Sequence, residues 1–261
     1  MKIIFTAAIF FSLQFCAGTE IKTKTAEYKQ DSKDYEGYFA EPANLKGKVP
    51  GVLLIHEWTG LGDHVKGRAN QTAALGYVSF AMDMYGKGIR VEDHDHEKAG
   101  KLSGAYSSDK TLMLSRIDKA VEVLKSHPNV DPTKISVIGY CFGGRAAVEY
   151  ALAGRDVKST SSFHGVLPSA TLQSAKKVKG SLELHHGADD KFTPQKDIDS
   201  LLKSLKDAGV KHEFYSYPGA VHSFTRASAG TAHKAMGMAY DAEADRVSWT
   251  RLVAYLKATL N

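Results

Sequence analysis

The chain has 261 residues, 43% of them apolar and 24% charged, with a formal net charge of +5. These values suit one large α/β domain or two small ones with an ordinary core, and they exclude a compositionally disordered chain. Lys and Arg are interspersed with Asp and Glu, as between Lys22 and Asp34, so no basic patch forms and a nucleic-acid-binding surface is not expected.

The N-terminus opens with Met1-Lys2 and an apolar run from Ile3 to Phe15, followed by Cys16-Ala17-Gly18. The run is shorter than the about 20 residues of a membrane span. It reads as a signal peptide over residues 1–18, leaving a single domain over 19–261 and a periplasmic or secreted destination. Phe15 disfavours a lipid anchor on Cys16, because such sites want a small residue there. Only Cys16 and Cys141 occur, so the processed chain would hold one thiol with no intrachain partner.

Ile21–Tyr28 and Tyr35–Ala40, around a polar turn, predict an antiparallel hairpin. Strands and helices then alternate. Gly51–Ile55 is a short apolar run suited to a strand buried on both faces. Arg68–Leu75 predicts a helix and Tyr77–Met82 a strand. Ser107–Lys125 carries Leu114, Ile117, Val121 and Leu124 at helical spacing. Lys134–Ile138 (strand), Arg145–Leu152 (helix), Ser159–Phe163 and Leu182–His185 (strands), Pro194–Ala208 (helix), His212–Tyr217 (strand) and Asp241–Leu256 (helix) complete the series. Such alternation predicts an α/β fold with a mostly parallel sheet and helices on both faces, with chemistry beyond the carboxyl ends of the strands.

Four strand ends are loaded with reactive residues. Gly139-Tyr140-Cys141-Phe142-Gly143-Gly144 has the G-x-nucleophile-x-G form of a strand-to-helix elbow, with Cys where Ser is usual. The helix start behind it favours a thiolate and an adjacent oxyanion. Asp190 follows a late strand and His222 follows the last one, which places nucleophile, acid and base in the α/β-hydrolase order. After the first core strand comes His56-Glu57-Trp58-Thr59-Gly60. That loop supplies one oxyanion-hole N–H in this fold and the residue after the nucleophile supplies the other, so the backbones of Trp58 and Phe142 are the candidates.

With these residues assembled, the chain resembles the dienelactone hydrolase family from about Tyr28 to Leu256. The resemblance rests on Glu36-Gly37-Tyr38, His56-Glu57 with Gly60-Leu61, Ala81–Gly86, Gly139–Gly144, Asp190–Pro194 and Tyr217–His222. It implies Cys141 as nucleophile, His222 as base and Asp190 as the acid that orients it, Asp190 being preferred to Asp189 by its spacing to Pro194. It also implies that Glu57 is a catalytic residue that holds or deprotonates the resting cysteine until an acidic substrate displaces it, and that Arg226 binds a substrate carboxylate. Met82 stands where a proline is common, and Arg90–Glu97 does not align with the family's other carboxylate-binding arginine.

The expected activity is hydrolysis of an ester or lactone, with an anionic group on the substrate, no cofactor and a monomeric chain. A general carboxylesterase or thioesterase is the alternative within the fold, and a non-catalytic binding protein the alternative outside it. His94-Asp95-His96-Glu97 and His185-His186 have metal-ligand chemistry. The first reads as an acidic solvated loop and the second as a strand end, so no metal site is expected. His164 reads as a satisfied structural histidine.

Overall fold

The computed structural model describes residues 19–261; the expected signal peptide, with Cys16, lies outside the described residues. The strands are β1 (Ile21–Gln30), β2 (Lys33–Pro42), β3 (Val49–Ile55), β4 (Val78–Ala81), β5 (Val130–Tyr140), β6 (Ser159–Phe163), β7 (Ser181–Gly187) and β8 (His212–Tyr217). The helices are α1 (Asp63–Ala74), α2 (His96–Ser108), α3 (Lys110–Lys125), α4 (Phe142–Leu152), α5 (Leu172–Ala175), α6 (Gln195–Asp207) and α7 (Ala242–Leu260), with short 3-10 turns at Ala227–Ala229 and Lys234–Met236.

One sheet holds all eight strands in the order β1-β2-β4-β3-β5-β6-β7-β8. Strands β3 to β8 run parallel, while β2 joins β4 antiparallel and carries β1 on its outer edge. Successive side chains of a strand point to opposite faces. In β3, Leu53 and Ile55 pack with Met113, Ile117 and Leu124 of α3, while Val52 and Leu54 pack with Val65 and Ala69 of α1 and Leu252 of α7. Covering both faces is why this strand reads as an unbroken apolar run. A third cluster seats α6 on β7 through Ile198, Leu201, Leu205, Leu182 and Leu184.

The expected hairpin and sheet are present, but three helix expectations need correction. α1 starts at Asp63, not at Arg68; its polar first turn with Gly67 conceals the amphipathic pattern that Val65 begins. The helix expected from Ser107 is two helices. Asp109 ends α2 through its N–H on the Ala105 carbonyl at 3.2 Å and caps α3 by accepting from the Leu112 N–H at 2.9 Å. The acidic stretch expected as loop stays loop only to Asp95. The Asp95 carboxylate accepts the Lys98 N–H at 3.1 Å and so starts α2 at His96.

The β4–α2 connection is locked from within. Buried Asp83 accepts the N–H groups of Tyr85 at 3.0 Å and Gly86 at 3.1 Å, and the Glu36 N–H of β2 at 3.2 Å. Tyr28 of β1 donates to the Asp83 carbonyl at 3.0 Å. The hairpin therefore buttresses the loop that carries Tyr85 towards the strand ends.

Candidate active site

Strand β5 passes directly into α4 at Cys141, whose φ of 55° and ψ of −117° lie in a region that L-residues rarely adopt. Backbone held there costs roughly 1–3 kcal/mol and persists because its surroundings leave no alternative. A Cβ on Gly139 would sit 1.9 Å from the Gly143 carbonyl oxygen, and one on Gly143 would sit 2.3 Å from that of Ile55. A Cβ on Gly144 would meet Ser162 Oγ at 2.7 Å. The glycines thus allow β5, β3 and β6 to press against the start of α4, and the Cys141 N–H is held by the Phe163 carbonyl at 3.0 Å. As the first residue of α4, Phe142 has an amide with no acceptor inside the helix.

The loop after β8 returns His222 to this turn. His222 Nε2 lies 3.1 Å from Cys141 Sγ, and Nδ1 lies 2.8 Å from Asp190 Oδ2. The other Asp190 oxygen accepts the Phe192 N–H at 2.9 Å, which fixes the carboxylate, while Asp189 beside it is exposed. Burial by itself would lower the His222 pKa. The charge of Cys141 and the hydrogen bond to Asp190 overcome this, and the group is pushed up to about 10. His222 is held in turn by its own backbone, which accepts from the Ala239 N–H at 3.0 Å and donates to the Gly237 carbonyl at 3.0 Å.

Glu57 reaches the same region but not the thiol. Its carboxylate contacts His64 Nδ1 of α1, and the described residues show no hydrogen bond from Glu57 to Cys141. Burial would raise this carboxyl group; the charge and hydrogen bond of His64 prevail and bring it down to about 2. His64 Nε2 lies 3.0 Å from the Thr225 carbonyl. Arg226 comes close enough for its charge to favour the Glu57 carboxylate, but its guanidinium pairs with Asp93 of the β4–α2 loop.

Two neighbouring histidines are buried supports. His56 Nδ1 lies 2.5 Å from the Glu57 carbonyl and Nε2 accepts the Met84 N–H at 3.2 Å; burial lowers its pKa. His164 packs edge-on against His222 and is held well below its ordinary range by burial. Its Nε2 lies 2.8 Å from Thr225 Oγ1, but Nδ1 is buried with no partner among the described residues, so it is only half satisfied. His185 lies at 2.7 Å from the Tyr217 hydroxyl inside the sheet and takes no part in the cluster.

Above Cys141 lies a cavity of about 270 Å³, lined by Trp58, Phe142, Arg145, Phe192, His222 and Met238 among others. A second cavity of about 330 Å³ adjoins it and shares Trp58, Ser223 and Met238, with Asp93, His94, His96, Arg226 and His233 in its walls. The Trp58 peptide is anchored because its carbonyl accepts the Tyr85 hydroxyl at 3.0 Å. Sequence reasoning missed His64, Tyr85, Asp93, Phe192 and Thr225. Tyr85 and Phe192 fell inside motifs already singled out and Asp93 inside the unaligned stretch Arg90–Glu97; its contact with Arg226 spans 133 positions of the chain.

A strained cysteine turn between β5 and α4, with Asp190 and His222 delivered to it by the ends of later strands, is the arrangement of an α/β-hydrolase. The chain belongs to the dienelactone hydrolase family, whose model matches residues 35–260. A Synechocystis sp. protein assigned as a carboxymethylenebutenolidase is 28% identical over 247 residues, covering 89% of this chain and 95% of its own. Among solved structures, m3DLH is 29% identical with a TM-score of 0.87, over 92% of this chain and 99% of that one. A dienelactone hydrolase-like promiscuous phosphotriesterase from metagenomic libraries gives 29% identity and a TM-score of 0.86 over the same shares.

Proposed function

We propose that this hydrolase cleaves ester and lactone bonds through Cys141, His222 and Asp190, as a carboxymethylenebutenolidase-type enzyme acting on small anionic substrates. The observation that carries the reading is the continuous line from Asp190 Oδ2 through His222 to Cys141 Sγ, at 2.8 Å and 3.1 Å, on a nucleophile whose backbone is strained.

The Cys141 thiolate adds to the carbonyl carbon, and the carbonyl oxygen takes up the negative charge. The amides of Phe142 and Trp58 receive that charge, each worth about 3 kcal/mol in comparable sites. Collapse of the adduct breaks the bond to the leaving oxygen, which takes a proton from the His222 imidazolium. Neutral His222 then removes a proton from water as the water attacks the thioester carbonyl. The carboxylic acid leaves, and the Cys141 thiolate and His222 imidazolium are restored. Asp190 keeps the imidazole in the orientation that presents Nε2 to the sulfur. Glu57, ionised against His64, holds a fixed negative charge beside Arg226, and Arg226 selects an anionic substrate group from the adjoining cavity.

The test is hydrolysis of dienelactone and a panel of p-nitrophenyl esters before and after one equivalent of iodoacetamide. Loss of turnover with alkylation of Cys141 supports the reading; turnover that survives full alkylation removes it. Neutral esters hydrolysed as well as anionic ones would leave a general carboxylesterase. The leader-like composition of residues 1–18 supports export of the mature chain, and no helix among the described residues is long and apolar enough to cross a membrane.

A further inference from the structure

Phe192 and Met236 are large apolar side chains left 45% and 54% exposed, on two different loops. Both face one cavity of about 610 Å³ beside the acid loop, with Val221 and Gly237 in the same wall. Phe192 also lines the cavity above Cys141. Its ring meets the His222 imidazole edge-on at 4.9 Å, and a Cβ on Gly237 would lie 3.4 Å from it. Phe192 is therefore a wall common to the reaction cavity and the outer one. The hydrogen bonds that His222 makes to Gly237 and Ala239 keep the Met236 segment at a fixed height above it.

The reaction cavity, at about 270 Å³, is at the small end for ligand sites, which span roughly 300–1,000 Å³. A substrate larger than a short ester must extend beyond it. The direction is set by chemistry: the leaving oxygen must lie at His222 Nε2 to be protonated, so the alcohol part projects on the His222 side. That side holds Phe192, and the acyl part lies away from it. We propose that the outer cavity is the subsite for the hydrocarbon portion of the leaving alcohol, with Phe192 as its inner wall and Met236 as its outer one. Asp189, Lys191 and Lys234 also line it. This inference rests on the reading of Cys141 and His222 given above.

Two ester series separate it from that reading. In one, acetates of straight-chain alcohols run from ethyl to octyl; in the other, ethyl esters run over the same acyl lengths. In the alcohol series, kcat/KM rises by about fourfold for each methylene that becomes buried. Met236→Asn, a neutral change at an exposed position, removes most of that gain and leaves ethyl acetate and the acyl series unchanged. Met236→Leu retains it. A flat alcohol profile in the parent enzyme, or a Met236→Asn loss that is equal for all esters or confined to the acyl series, overturns the proposal. Ethyl acetate hydrolysis that survives alkylation of Cys141 would instead overturn the catalytic reading, and does so independently of chain length.

Discussion

At the residue scale, the Cys141–His222 pair is a matter of charge. The charge of Cys141 and the hydrogen bond to Asp190 push the His222 pKa up to about 10, which favours an imidazolium facing the sulfur in the proposed mechanism. Inactivation by iodoacetamide should therefore slow by less than tenfold between pH 8 and pH 6, whereas a free thiol slows by roughly two orders of magnitude. His222→Gln should restore the steep dependence. The same shifts bear on stability. His222 is raised from 6.5 to about 10, so its contribution is complete below 6.5 and is lost as pH rises through 10. Glu57 is lowered from 4.5 to about 2, so its contribution is present above 4.5 and is lost as pH falls through 2. Urea midpoints measured from pH 2 to 10 should decline at both ends, with Glu57→Gln flattening the acid decline and His222→Gln the alkaline one. Arg226 and Asp93 make a separate test. Arg226→Ala should raise KM for anionic esters by about tenfold or more, since a charge-assisted hydrogen bond contributes about 1.5–3 kcal/mol. Asp93 is an internal carboxylate on that guanidinium, so Asp93→Asn should lower KM for anionic esters by a few-fold. Neutral esters should be indifferent to both changes in paired kinetic assays.

At the scale of elements, the elbow joins β5 to α4 only because backbone meets backbone at Gly139 and Gly143. Gly139→Ala places a methyl group 1.9 Å from a buried carbonyl oxygen that cannot retreat without moving α4. Overpacking of this kind costs about 3 kcal/mol or more. A lowered melting temperature with loss of thiol reactivity is expected, since the same shift moves Cys141 away from His222. The β1–β2 hairpin has a comparable supporting role at a distance. Its contacts to Asp83 hold the loop whose Tyr85 hydroxyl fixes the Trp58 peptide. Tyr85→Phe should leave the fold intact and lower kcat on p-nitrophenyl acetate by several-fold, because a loosened Trp58 amide stabilises the oxyanion less well.

At the scale of the whole molecule, the sheet order gathers the site. β5 lies inside the sheet between β3 and β6, so the loop after β3 stands beside the elbow, and the ends of β7 and β8 fold back over it. Four segments separated by up to 165 positions thus share one carboxyl edge, as parallel sheets require. The expected leader belongs to this scale as well. If residues 1–18 act as a signal peptide, intact-mass measurement of the protein recovered from an exporting host should give a chain starting at Thr19.

The alternation of apolar runs and amphipathic stretches was enough to read the parallel sheet, because burial on both faces imposes an apolar run on β3, β4 and the end of β5 at its centre. Cys141, Asp190 and His222 stood out for a related reason: glycines crowd the elbow, and each of the three lies within five positions of the end of an expected strand. The boundary at Asp109 was not legible, since both sides of it are helix and only the cap geometry divides them. The pairing of Glu57 with His64, the seating of Arg226 on Asp93 and the shared wall at Phe192 were beyond reach as well. Each depends on which loops meet above the sheet, and contacts between loops leave no periodicity in the chain. Sequence by itself determined the fold class and the order of the reactive residues, because both are set by local pattern. Tertiary structure alone decided the ionic partners of Glu57 and Arg226 and the shape of the cavities, because these follow from the packing of segments far apart in the chain.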